Sequence, residues 1–126
     1  MKYLLDTHIF LWSLNNDWKL KSIIKEILIN PENIIYVSVS SAWEIGIKLK
    51  TEPGFKFKTT IRKAFMISGF EVLPISFEHV LQVTKLPLYH NDPFDRILIS
   101  QALVENLTLI TSDSKIWKYK LKLLKA

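Results

Sequence analysis

The pattern of apolar and polar positions alternates along the chain between short apolar runs and longer helical stretches. Lys2 to Leu5 reads as a strand, followed by a helix from about Thr7 to Leu14 and another from about Lys19 to Asn30, where Pro31 supplies a stop. Ile34 to Val37, rich in β-branched residues, reads as a buried strand, and Ser40 or Ser41 opens a helix to about Lys50. Pro53-Gly54 is the clearest turn signal. A helix from about Thr59 to Ser68 then ends at Gly69, a residue suited to a left-handed cap. Val72 to Ile75 is a strand, Phe77 to Val83 a helix, and Pro93 to Glu105 a helix with proline in its first turn. Leu107 to Thr111 (strand), Ser114 to Tyr119 (short helix) and Leu121 to Leu124 (strand) complete the chain.

Strands alternating with helices imply right-handed crossovers and a parallel sheet covered on both faces. The expected fold class is therefore α/β, a three-layer α/β/α sandwich with a Rossmann-like central sheet, built as one domain over residues 1–126. A chain of 126 residues, 48% hydrophobic and with only 3 Gly, can bury roughly two thirds of the surface of its unfolded form. It should fold without help from a ligand. The longest stretch without Asp, Glu, Lys or Arg, Asn33 to Trp43, is 11 residues, well short of the ~20 a membrane helix needs. No partner membrane is expected. With 0 Cys, any metal must be held by oxygen or imidazole, and a cytoplasmic location is the matching expectation.

Five of the 12 acidic residues stand where a strand ends or a helix begins: Asp6, Glu44, Asp92, Asp95 and Asp113. In open parallel sheets ligands bind beyond the carboxyl ends of the strands. Asp6 ends the first strand and Asp113 follows Leu107 to Thr111, while Glu44, Asp92 and Asp95 lie near helix starts at the same edge. Capping accounts for each acid singly: Ser41-Ala-Trp-Glu44 has the form of a capping box, and Asp92 and Asp95 stand at N-cap and N3 spacing. It does not account for their convergence. Gathered carboxylates repel one another and raise their pKa values unless a cation intervenes, and Mg2+ or Mn2+ prefers such oxygen ligands.

The net charge of +5 is local. Five lysines from Lys115 to Lys125 supply all of it, and the remainder of the chain is neutral. A second basic cluster, Lys48, Lys50, Lys56, Lys58, Arg62 and Lys63, is interleaved with Phe55 and Phe57. Such patches attract phosphate backbones, although each alone is equally a solvated surface.

The segments LLDTH, SAWEI, NDPFDRILISQAL and LITSD, in this order and spacing, resemble the PIN-domain nucleases, and among them the VapC-type toxins of bacterial toxin–antitoxin pairs. The resemblance covers essentially the whole chain. It implies a Mg2+- or Mn2+-dependent ribonuclease whose catalytic and metal-binding acids are Asp6, Glu44, Asp95 and Asp113. It also implies RNA as substrate, a cognate antitoxin protein as partner, and a homodimer. Thr7 and either Thr111 or Ser112 fall where that family has a hydroxyl beside the acids, and Asp92 is a less direct member of the set. His8 and His90 stand where a histidine could orient a carboxylate or a water. Arg96 is read as a phosphate contact or as a cation paired beside Asp95. Trp12 and Trp43 are read as core or dimer-seam residues.

Other classes fit less well. A phosphoacceptor receiver domain needs an adjacent acidic pair after the first strand, where this chain has Asp6-Thr7; a haloacid-dehalogenase-type phosphatase needs a second Asp where His8 stands. Gly46, Gly54 and Gly69 form no phosphate-binding loop. The alternative within the same resemblance is a non-catalytic module that binds RNA or protein without cutting.

Overall fold

In the first strand Tyr3 and Leu5 point to one apolar cluster and Leu4 to another, so the sheet must be covered twice. The computed structural model describes residues 1–126 and satisfies that demand. It runs β1 (Lys2–Leu5), α1 (Thr7–Leu14), α2 (Ser22–Ile29), β2 (Ile34–Ser38), α3 (Val39–Thr51), α4 (Ile61–Ser68), β3 (Glu71–Leu73), α5 (Phe77–Val83), α6 (Pro93–Glu105), β4 (Thr108–Thr111), a 3-10 turn (Ile116–Lys118) and β5 (Leu123–Lys125). All five strands pair in parallel, in the order β3-β2-β1-β4-β5.

On one face Ile35, Val37 and Ile110 join Tyr3 and Leu5 beneath Ile9 and Phe10 of α1, Ile24 of α2, Ile45 of α3 and Ala64 of α4. On the other, Leu4, Leu73 and Leu109 meet Leu98, Ile99 and Ala102 of α6, with α5 packed on α6. Each Val, Leu, Ile or Phe side chain among these contributes about 1.5–3 kcal/mol by leaving water. The result is the expected α/β/α sandwich. The chain steps outward from β1 to β3 and then returns to lay β4 on the other side of β1, so the strand order reverses between β1 and β4. Ligand sites form at such a reversal.

Three local departures from the sequence reading matter for the site. Helix α3 starts at Val39, because Ser38 caps it through an Oγ that accepts the Ser40 N–H at 3.0 Å. The capping box expected at Ser41 and Glu44 is therefore absent, and Glu44 lies in the second turn. The one capping box formed is Ser76 with His79. Helix α2 starts later than expected because Asp17 turns the preceding segment, accepting the Lys19 N–H on its side chain and the Leu20 N–H on its carbonyl. Phe55 and Phe57, set among the second basic cluster, stack on each other and pack against the first core. No helix is long and apolar enough to cross a membrane.

Candidate functional site

Asp6 follows β1 directly and is fixed from both sides. Its backbone N–H donates to Ile110 of β4 at 3.1 Å, its Oδ1 accepts the Ile9 N–H at 2.8 Å as N-cap of α1, and its Oδ2 accepts the Thr111 hydroxyl. The residue is only 3% exposed. Thr111 Oγ1 in turn accepts the Asp113 N–H at 3.0 Å, so one hydroxyl ties the acids after β1 and β4 together. Of the two hydroxyls weighed, Thr111 is the one that bonds an acid. Thr7 Oγ1 pairs instead with Ser41 Oγ at 2.9 Å, joining the starts of α1 and α3.

Asp92 caps α6, its Oδ1 accepting the Phe94 N–H at 2.8 Å and the Asp95 N–H at 3.4 Å, while Pro93 has no N–H to leave unpaired. Asp95, one turn in, places Oδ2 at 2.9 Å from His90 Nε2. The same Nε2 lies 2.8 Å from Asp113 Oδ2, and Asp113 Oδ1 accepts the Lys115 N–H at 2.9 Å. Glu44 arrives from α3, which packs on α6, and its Oε1 is buried with no hydrogen-bond partner.

The charges act on one another. Burial, then the neighbouring charge of Asp92, and further those of Glu44 and Asp6, push Asp95 up to about 7. Burial also raises Asp6, against the Thr111 and Ile9 hydrogen bonds and the His8 charge, with Asp113 adding to the rise. For Asp113 partial burial works upward, but the His90 hydrogen bond, the Lys115 N–H and the Lys115 charge outweigh it and hold the carboxyl below its ordinary value. A buried carboxylate oxygen without a partner, beside acids that destabilise each other's charged forms, is an arrangement a hard divalent cation would complete. One ring nitrogen of His90 and one carboxylate oxygen each of Asp95 and Asp113 lie within 4.8 Å of one another.

The other marked residues divide. His8 is exposed on α1, its ring 6.4 Å from that of Trp12, which packs against the first core. Ser112 lies between Thr111 and Asp113, half-buried. Arg96 meets no carboxylate: its Nη1 donates to the carbonyls of Pro87 (2.9 Å) and His90 (3.2 Å), and its Nη2 to those of Val83 (3.1 Å) and Leu86 (3.3 Å). It holds the loop before α6 in place through backbone partners and makes no ion pair with Asp95. Trp43 is 64% exposed, edge-on to Phe94 at 5.1 Å between ring centroids, so the core reading of Trp43 is corrected. One residue escaped the sequence reading. Tyr119 accepts the His90 N–H at 3.0 Å and donates to Pro87 O at 2.7 Å, with no motif that announces it, while Ser41, read as a helix cap, bonds Thr7 instead.

The PIN domain family model matches residues 3–121 of the chain. No curated protein matches it by sequence. Among solved structures the chain is similar to VapBC2 from Rickettsia felis bound to a DNA fragment from its promoter, at 21% identity and a TM-score of 0.75, with 99% of this chain and 98% of that one covered. DNA-bound VapBC from Salmonella typhimurium follows at 14% identity and a TM-score of 0.71, with the same 99% and 98% coverage. VapBC-1 from nontypeable Haemophilus influenzae gives 19% identity and a TM-score of 0.67, again covering 99% and 98%. At these identities the structures speak for the fold.

Proposed function

This chain belongs to the PIN domain family, and from that premise we propose that it is a Mg2+- or Mn2+-dependent endoribonuclease, the toxin of a toxin–antitoxin pair. One observation carries the reading. Acids from four segments meet at this edge: the charges of Glu44 and Asp6 act on Asp95, that of Asp113 acts on Asp6, and Glu44 keeps a buried oxygen with no partner. Asp6 and Asp95 would be the principal ligands, with Asp113 and Glu44 completing the set directly or through water. The ion, when bound, supplies positive charge that shields the phosphate oxygens and makes a water more acidic.

The chain's own residues do the positioning. Thr111 and the Ile9 N–H fix the two oxygens of Asp6, and Asp92 holds the first turn of α6 so that Asp95 faces its partners. RNA as substrate is supported by the lysines at this edge: Lys115 follows Asp113, and Lys125 is in register with Thr111 at the carboxyl end of β5. An RNA substrate goes with a cytoplasmic location. A cognate antitoxin is proposed because the similar structures are toxin–antitoxin complexes. A homodimer is proposed because Trp43 and Val80, which line one groove with Phe94, leave apolar surface exposed beside the first turn of α6.

The test is incubation of the protein with mixed RNA and Mg2+ or Mn2+, with and without chelator. Cleavage that needs the cation and disappears in an Asp6→Asn, Asp95→Asn double variant is expected. Cleavage that survives the double variant would sink the mechanism, and a folded protein that binds RNA without cutting it would favour the non-catalytic module.

A further inference from the structure

His90 has two ways to serve a cation site, and its hydrogen bonds choose between them. A neutral imidazole has one donor and one acceptor nitrogen, and the partner of one fixes the role of the other. The backbone N–H of Asp92 points at His90 Nδ1 from 3.1 Å, so Nδ1 is the acceptor. The ring proton is then on Nε2, which faces Asp113 Oδ2 at 2.8 Å and Asp95 Oδ2 at 2.9 Å. A nitrogen that carries a proton has no lone pair for a metal. The common metal-ligand arrangement, in which the non-ligating nitrogen donates outward, is reversed here.

The ring is also hard to turn. It is 8% exposed, its backbone N–H donates to Tyr119 Oη at 3.0 Å, and its carbonyl accepts from Arg96 Nη1 at 3.2 Å. The network that looked incidental, Arg96 and Tyr119 gripping the loop before α6, therefore sets where Nε2 points.

We infer that His90 is a positioning residue: its Nε2–H, fixed by the Asp92 N–H on Nδ1, donates to Asp113 Oδ2 and draws Asp95 Oδ2 against the same nitrogen, and the ring does not ligate the cation. The role rests on the reading of these acids as a cation site. In the absence of a cation the N–H offsets the repulsion between two oxygens that lie within 4.8 Å of one another. With a cation bound it leaves their other lone pairs free and keeps the pair oriented.

Long-range proton–nitrogen NMR of the protein labelled at histidine reads the tautomer directly. The expected spectrum shows His90 protonated at Nε2, both metal-free and saturated with Mg2+; protonation at Nδ1 in either state overturns the inference. Mn2+ titration of variants reads the role. His90→Gln keeps an N–H donor near the position of Nε2 and should bind Mn2+ within about threefold of the parent, whereas His90→Ala should bind about 10–100-fold more weakly. Unchanged affinity in His90→Ala, or equal loss in both variants, overturns it. A parent protein that takes up no Mn2+ removes the cation site itself, a failure told apart by its showing before any variant is made.

Discussion

His79, in the seam between α5 and α6, and His90, at the carboxyl edge of the sheet, are both buried and make the same pattern of bonds. Each accepts a backbone N–H at Nδ1, from Ser76 at 2.9 Å and from Asp92 at 3.1 Å, and each turns Nε2 toward carboxylate. What lies beyond Nε2 differs. His79 meets one acid, Glu105, at 3.3 Å, while its carbonyl accepts the Ser100 hydroxyl, so both ring nitrogens and the carbonyl of His79 have partners and α5 is fastened to α6. His90 meets two acids, and a third, Glu44, has a buried oxygen with none. A closed set of hydrogen bonds marks structure; an open one, at the edge where strand order reverses, marks a place for a ligand.

The contrast breaks most visibly in activity. Asp95→Asn removes a proposed ligand worth several kcal/mol of transition-state stabilisation, so RNA cleavage should fall by about 10³-fold or more with the fold intact by circular dichroism. Glu105→Gln, the matching change in the seam, should leave cleavage within about twofold. Equal losses would mean that the two histidine sites are not distinct in kind.

Stability should respond in the opposite sense. His79→Ala empties a buried position and strands the Ser76 N–H, and should cost about 2–3 kcal/mol in denaturant unfolding, with cleavage per folded molecule nearly unchanged. Asp95→Asn should stabilise the metal-free protein. Its folded pKa, about 7, lies above the ordinary 3.8, so the stability it contributes is fully present below about 3.8 and is lost as pH rises toward 7. The variant lacks that loss, and its advantage over the parent should grow from none near pH 4 to roughly 1–2 kcal/mol near pH 7.5, and vanish when Mg2+ is added to both. An advantage independent of pH would show that burial and the neighbouring acids do not raise the Asp95 carboxyl.

These sites were unequally legible in the chain. The limits of α1, α5 and α6 were readable because their caps are written locally, Asp6 before α1 and Asp92-Pro93 at α6. Three of the four acids share that origin, since a carboxylate held by the first turn of a helix or by the loop after a strand is placed by its neighbours in sequence. Glu44 is different. Ser38, Ser40 and Ser41 are all capable caps, and Ser41 is diverted to Thr7, a residue brought near only by the fold, so the helix starts early and Glu44 falls in the second turn. Arg96 is the extreme case. Its acceptors run from Val83 to His90 and to Tyr119, and no local pattern gathers them.

The smallest expected effect separates edge from remainder by charge alone. Lys122 and Lys125 belong to the same basic tail, yet Lys125 is in register with Thr111 at the carboxyl edge, whereas the Lys122 carbonyl bonds Leu109, near the start of β4. The Lys125 Nζ lies 5.1 Å above the Trp117 ring, and Trp117 Nε1 donates to Thr111 O at 3.1 Å, so this lysine is steadied beside the acids. Removing either charge changes the net charge equally. If RNA crosses the carboxyl edge, Lys125→Ala in an Asp95→Asn background should weaken binding a few-fold and lower the salt dependence by about one ion, and Lys122→Ala should do neither. Binding by filter retention across a salt series measures both. Equal effects would mean that the tail attracts RNA only through its total charge, and that the edge holds no track for the backbone.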